Sequence, residues 1–210
     1  MQVNHLTDPL GYECEYPVFS WVTENVRGKY QEKVRMEIAL DRAMKKVIYD
    51  SGWQREIDSC GFCPNVQISP RTRYYWRVKV LTDRREKVVS PVAWFETGKS
   101  QELWQGQWIQ ADFNQKNPEI HPLFQKKFQV PKDLASARIY ICGLGLFEVL
   151  VNGEKVSEEY LAPFYTDYHN WIQYVTYDIT PLLKKGEENA VGAALGNGWY
   201  KGRFSYEKDM

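Results

Sequence analysis

The sequence predicts an all-β protein made of two successive β-sandwiches, and three observations carry that prediction. Helical periodicity is scarce along the chain. Short segments rich in Val, Ile, Tyr, Phe and Trp recur between Gly, Pro, Asn and Asp punctuation, as sandwich strands do. A chain of 210 residues with 43% apolar and 15% aromatic content also matches two domains of about 100 residues better than one large one.

In the first half the predicted strands are Val18 to Thr23, Tyr30 to Ala39, Lys46 to Asp50, Asn65 to Ser69, Arg73 to Thr82 and Val89 to Thr97. The sharpest pattern runs from Ile68 to Val80. Its period of two puts Tyr74, Trp76, Val78 and Val80 on a core face and Arg73, Arg77 and Lys79 in water, with Tyr75 the exception. Tyr74 can supply the hydroxyl tie that some sandwiches use at this corner. The Pro-x-Thr-x-Tyr-x-Trp-x-Val pattern from Pro70 to Val78, with Ser90, Pro91 and a closing Phe95, Glu96, Thr97, resembles a fibronectin type III or immunoglobulin-like domain over roughly residues 15 to 98. That resemblance speaks for fold, not function.

The chain divides into a first sandwich, 1–98, a polar junction, 99–106, and a second sandwich, 107–210. Trp104 and Trp108 lie at the junction and read most simply as anchors packing one domain on the other. In the second half, Leu123 to Val130 and Ala137 to Cys142 read as strands. Phe147, Val149 and Val151 then alternate with Glu148 and Leu150 into Asn152 and Gly153, a pair that accepts the positive φ angles of a two-residue turn, before Glu154, Lys155 and Val156 return. Tyr174 to Ile179 is a further strand, Pro181 to Lys184 a short helical turn, and Ala190 to Leu195 another strand. This order suggests a jelly-roll, galactose-binding-like sandwich.

Composition excludes several partners. Lys plus Arg and Asp plus Glu both number 27 and no long run of one sign appears, so nothing favours nucleic acid or an anionic membrane. No basic stretch leads into an apolar segment after Met1, and there is no run of membrane-spanning length. The chain reads as cytoplasmic unless a leader was removed. Of Cys14, Cys60, Cys63 and Cys142, only Cys60 and Cys63 form a close pair, and a structural zinc site wants four ligands. Reduced loop thiols are the simpler reading.

Three strings in the second half, taken in order, resemble the N-terminal β-sandwich of bacterial α-L-rhamnosidases. The first is Ile139 to Glu148, with Gly143, Leu144 and Gly145 at its centre, running into Val151, Asn152 and Gly153. The second is Leu161, Ala162, Pro163, then Thr166, Asp167, Tyr168, then Tyr174 to Thr180. The third is Leu195, Gly196, Asn197, Gly198, Trp199, Tyr200, with Gly202 and Arg203 just after. The resemblance implies hydrolysis of terminal α-L-rhamnose by two carboxylic acids on a separate helical barrel, of which nothing is present in these residues. Asp167 with Asp178, or Glu148 with Glu158, supply the residue types for an acid and base pair, yet a chain with 27 acids always offers such pairs. The expectation is therefore an accessory, substrate-positioning region with no catalytic residue of its own. It further implies that the second sandwich continues with more strands, so Met210 leaves a sheet edge exposed unless the polypeptide continues or a second copy covers it as a homodimer.

Sugar binding asks for an aromatic ring to stack on the pyranose and a few polar groups for its hydroxyls. Asp167, Tyr168, Trp171, Asn197, Trp199 and Tyr200 supply these types. The resemblance adds calcium as a cofactor in some relatives, to which Asp167 and Asn197 could contribute oxygens, although no dense acidic loop is visible. The structural alternative is that Trp199 and Tyr200 pack under a loop, Gly196 and Gly198 serve backbone conformation, and Asp167 satisfies turn amides. Three functions remain open: an accessory region acting with a rhamnose-containing glycoside, an autonomous carbohydrate-binding module, and a structural pair of sandwiches for protein contact. The sugar-binding jelly rolls of β-galactosidases are the nearest family alternative.

Overall fold

The computed structural model describes residues 1–112 and 120–201; Gly202 and Arg203 of the third string lie outside the described residues. The chain forms two compact units, Met1–Leu103 and Trp104–Met210.

In the first unit, β1 (Gln2–Val3) pairs with β3 (Phe19–Ser20). A six-stranded sheet has the order β2 (Leu10–Tyr12), β8 (Ala93–Thr97), β6 (Arg73–Thr82), β4 (Gln31–Ala39), β5 (Val47–Asp50), with β7 (Lys87–Val89) also on β6. The strict alternation of β6 is fulfilled: Tyr74, Trp76, Val78 and Val80 are buried, beside Val34, Met36 and Ile38 of β4. Val3, Phe19, Trp21 and Ile57 cover that face. Phe19 meets Trp76 edge-on at 4.7 Å and Phe95 at 5.7 Å, the arrangement ring quadrupoles favour.

The Tyr74 hydroxyl accepts a hydrogen bond from the Ser69 amide at 2.8 Å, the corner tie that the sequence pointed to. Tyr74→Phe leaves that amide without its acceptor and is expected to destabilise the first unit by about 1–2 kcal/mol in urea unfolding. An unchanged midpoint would show that water replaces the hydroxyl.

Two expectations are corrected here, and two short strands went unpredicted. Residues 65–69, bracketed by Pro64 and Pro70, form no strand: the Val66 amide bonds back to the Pro64 carbonyl, and the Ser69 amide and carbonyl bond to the Tyr74 and Thr97 side chains. The short β1 and β2 carry too few residues for a period of two to show. Finally, Arg73, Arg77 and Lys79 are not simply in water. Arg77 Nε and Lys79 Nζ hold the two oxygens of Glu37 at 2.5 and 2.7 Å, and Arg73 Nε holds Glu96 at 2.7 Å.

Glu37 is only 4% exposed. Burial alone would raise its pKa, but hydrogen bonds from Lys79 and Arg77 outweigh it and hold the carboxyl below the ordinary range. A depressed folded pKa contributes stability that is present above the unfolded value, about 4.3, and is lost as pH falls through the folded one. The first unit should therefore weaken on acidification below about pH 4, and Glu37→Gln should flatten that slope when urea midpoints are compared across pH.

In the second unit, one sheet has the order β12 (Glu154–Lys155), β11 (Leu146–Val151), β14 (Glu188–Gly196), β9 (Leu123–Gln129), and the other pairs β10 (Arg138–Ile141) with β13 (Val175–Asp178). Phe147, Val149 and Val151 of β11 pack with Tyr177 and Ile179 to form the core between the two sheets. The β11–β12 turn has Asn152 at φ 53° and Gly153 at φ 88°, the positive angles expected of this pair. The helical turn is present as a 3-10 segment, Thr180–Leu182.

A buried amide network ties this turn to the β13–β14 connection. Asn152 Nδ2 donates to the Leu182 carbonyl and to Asn189 Oδ1, both at 2.8 Å, and Asn152 Oδ1 accepts from the Ala190 amide at 3.0 Å. Asn189 Oδ1 also accepts from the Lys184 amide, and its Nδ2 donates to the Lys184 and Glu187 carbonyls.

Candidate functional site

Two glycine strings build the frame of the candidate site. At Gly145, φ is 118° and an added Cβ would lie 2.2 Å from the Gly196 carbonyl oxygen; at Gly198, φ is 50° and a Cβ would lie 2.9 Å from the Leu146 amide. Both positions need glycine for conformation and for close backbone approach. This crossing pins the end of β14, and with it Asn197 to Tyr200, against the start of β11.

On this frame four rings meet in sequence. Trp199 contacts Tyr165 with centroids 6.4 Å apart, Tyr165 contacts Tyr168 at 6.1 Å, and Tyr168 contacts Tyr200 at 5.3 Å, each edge to face. Tyr165, Trp199 and Tyr200 remain exposed. The Tyr168 hydroxyl is buried without a hydrogen-bond partner among the described residues, and burial pushes its pKa up. The Thr166 hydroxyl, two residues earlier, likewise has none among the described residues, in a side chain only 3% exposed. Unsatisfied buried hydroxyls next to exposed rings are groups that a polyhydroxylated ligand can satisfy.

The six residues expected from sequence thus divide. Tyr168, Trp199 and Tyr200 come together, joined by Tyr165, which sequence reasoning missed although it lies inside the second string. Asn197 and Tyr200 line a neighbouring cavity of about 790 Å³, with Trp104, Phe124, Tyr140 and Phe147 among its walls. Trp171, 59% exposed, makes no ring contact with the others. Asp167 behaves as the structural alternative foresaw: Oδ1 accepts from the His169 amide at 3.1 Å and Oδ2 from Asn170 Nδ2 at 2.5 Å. Calcium takes about six to eight oxygens. Among the described residues no three His, Cys, Asp or Glu side chains converge, and both Asp167 oxygens accept local hydrogen bonds.

Two of the other candidate carboxylates, Asp178 and Glu148, are committed to structure as well, and Glu158 is exposed. Asp178 Oδ1 pairs with Arg138 at 2.7 Å and accepts from the Thr180 amide, and Glu148 pairs with Lys155 at 2.5 Å. Trp104 packs edge-on against Tyr174 within its own unit, with centroids 5.6 Å apart, while Trp108 is exposed. Cys60 and Cys63 are exposed free thiols, and burial pushes the Cys14 thiol up to about 11.

Residues 132–210 match the family described as the α-L-rhamnosidase N-terminal domain, and residues 1–101 match the Rha78A-like N-terminal immunoglobulin domain. The two units are N-terminal domains of the α-L-rhamnosidase family. An α-L-rhamnosidase of Formosa agariphila is 31% identical over 99% of this chain, which covers 24% of that protein; another, of an Alteromonas species, is 29% identical over 96% and is covered to 24%. Among solved structures, the α-L-rhamnosidase of Dictyoglumus thermophilum superimposes with a TM-score of 0.84 at 27% identity, covering 95% of this chain and 25% of that one. The native enzyme of Aspergillus terreus gives 0.80 at 26% identity, covering 98% and 24%. These rhamnosidase N-terminal domains therefore span about a quarter of the length of the relatives they match.

Proposed function

We propose that the two units are an accessory region of a glycoside hydrolase acting on terminal α-L-rhamnose, supporting and positioning substrate for a catalytic part located elsewhere in the polypeptide. The observation that carries this reading is the match of both units to rhamnosidase N-terminal domains over about a quarter of each relative's length. Three of the four carboxylates weighed as acid and base point the same way, because Asp178 and Glu148 are held in ion pairs and Asp167 in a turn, while Glu158 is exposed. Incubation of the chain with an aryl α-L-rhamnoside tests the claim: no turnover is expected, and hydrolysis abolished by replacing the chain's own carboxylates would overturn it.

A second reading, carbohydrate binding by the second unit itself, is favoured by the four-ring cluster and its two unpartnered hydroxyls. Titration with rhamnose, with and without calcium, should move the NMR signals of Tyr168 and Trp199 at millimolar sugar. Silence under both conditions would leave only the supporting role.

A further inference from the structure

The Asn152–Gly153 turn carries a chemistry separate from any ligand. An asparagine followed by glycine is open to attack on its own side chain, because glycine leaves the next amide nitrogen unhindered. Gly153 is exposed, with nothing within 4 Å of where a Cβ would lie, so the turn itself stands in solvent. In the reaction the Gly153 nitrogen bonds to Asn152 Cγ, the Cγ–Nδ2 bond breaks, and Nδ2 leaves as ammonia with the proton given up by the Gly153 amide. Water then opens the succinimide at either carbonyl, leaving aspartate or isoaspartate. Water is the only co-reactant.

The fold restrains this reaction. Attack requires the Asn152 amide to rotate towards Gly153, and three hydrogen bonds hold it elsewhere, to Leu182, Asn189 and Ala190. The same bonds reject the product. Aspartate has no donor in place of Nδ2, so its second oxygen would face the Leu182 carbonyl and Asn189 Oδ1, two acceptors. Asn189 cannot turn its amide over to help, since its Oδ1 also accepts from the Lys184 amide and its Nδ2 serves two carbonyls. Isoaspartate adds a backbone atom to a two-residue turn.

We propose that Asn152–Gly153 is a self-modification site gated by opening of the β11–β12 hairpin, and that its conversion makes unfolding of the second unit irreversible. Exchange of this kind follows the population of the open form. The test incubates the chain in mildly alkaline buffer with and without urea and maps peptides by mass spectrometry. Conversion at Asn152 should be at least about tenfold slower in native buffer than in urea. In urea it should keep pace with Asn197–Gly198, the same dipeptide in the unfolded chain. The yield of refolded second unit should fall as conversion at Asn152 rises. Asn152→Gly keeps a residue suited to positive φ and cannot react at that position, so its refolding yield should fall more slowly than that of the parent chain through the same incubation. Equal rates in native buffer and urea, or refolding of Asn152→Gly that decays as fast as that of the parent chain, would overturn the proposal.

Discussion

Replacing Trp76 by alanine is expected to cost the first unit roughly 3–5 kcal/mol, the range for deleting a large buried aromatic. Trp76 is 1% exposed, stands opposite Ile38 on β4 and Ala93 on β8, and takes the edge of Phe19 against its ring. No neighbouring chain segment can collapse into the vacated space without breaking the sheet register on both sides, so the cavity term adds to the lost transfer energy. Because whole domains are stable by only about 5–15 kcal/mol, the variant should sit near its unfolding threshold at room temperature. Urea denaturation followed by circular dichroism measures the loss. Trp76→Phe is the informative companion: the indole Nε1 is buried without a partner, so phenylalanine relieves an unsatisfied donor while giving up volume, and its cost should be well under half that of alanine. Equal losses for the two variants would mean that the ring fills no essential volume.

Asn189→Leu should have a comparable effect on the second unit, about 3–5 kcal/mol, for the opposite reason. The side chain is 2% exposed, so leucine satisfies the demand for apolar volume. It satisfies none of the hydrogen bonding. The Lys184 amide and Asn152 Nδ2 lose their acceptor, and the Lys184 and Glu187 carbonyls lose their donor. Each buried group left unpaired costs about 1–3 kcal/mol. Hydrogen exchange should show the β11–β12 turn and the Thr180–Glu188 connection losing protection together. Protection lost only on one side would show that the network is not shared.

How far the sequence revealed the molecule depended on how many residues carried each signal. The ten residues of β6 display five full periods, so strand and buried face were both readable in advance. The Asn152–Gly153 turn was readable from two residues because few others accept positive φ in succession. β1, with two residues, could not show a period, and residues 65–69 have strand-forming side chains but send the Val66 amide to the Pro64 carbonyl and the Ser69 amide to the Tyr74 hydroxyl. Ion pairing of Arg77 and Lys79 with Glu37 joins residues about 40 positions apart, which only the β4–β6 register brings together. The site was half visible. Gly198 and Trp199 stood in one string and Gly145 in another, whereas Tyr165 enters from the loop between β12 and β13, and no local pattern predicts that meeting.

The backbone crossing at Gly145 and Gly198 bears on how anything flat would settle on the rings. Side chains mounted on a loop that cannot swing outward are pre-organised, so capture of a ligand there forfeits little freedom in the receptor. Any affinity of a ligand for Trp199 and Tyr200 would then be governed by the contacts themselves. Inserting a methyl group at either glycine would loosen the mount and convert a rigid shelf into one that must be ordered anew with every encounter.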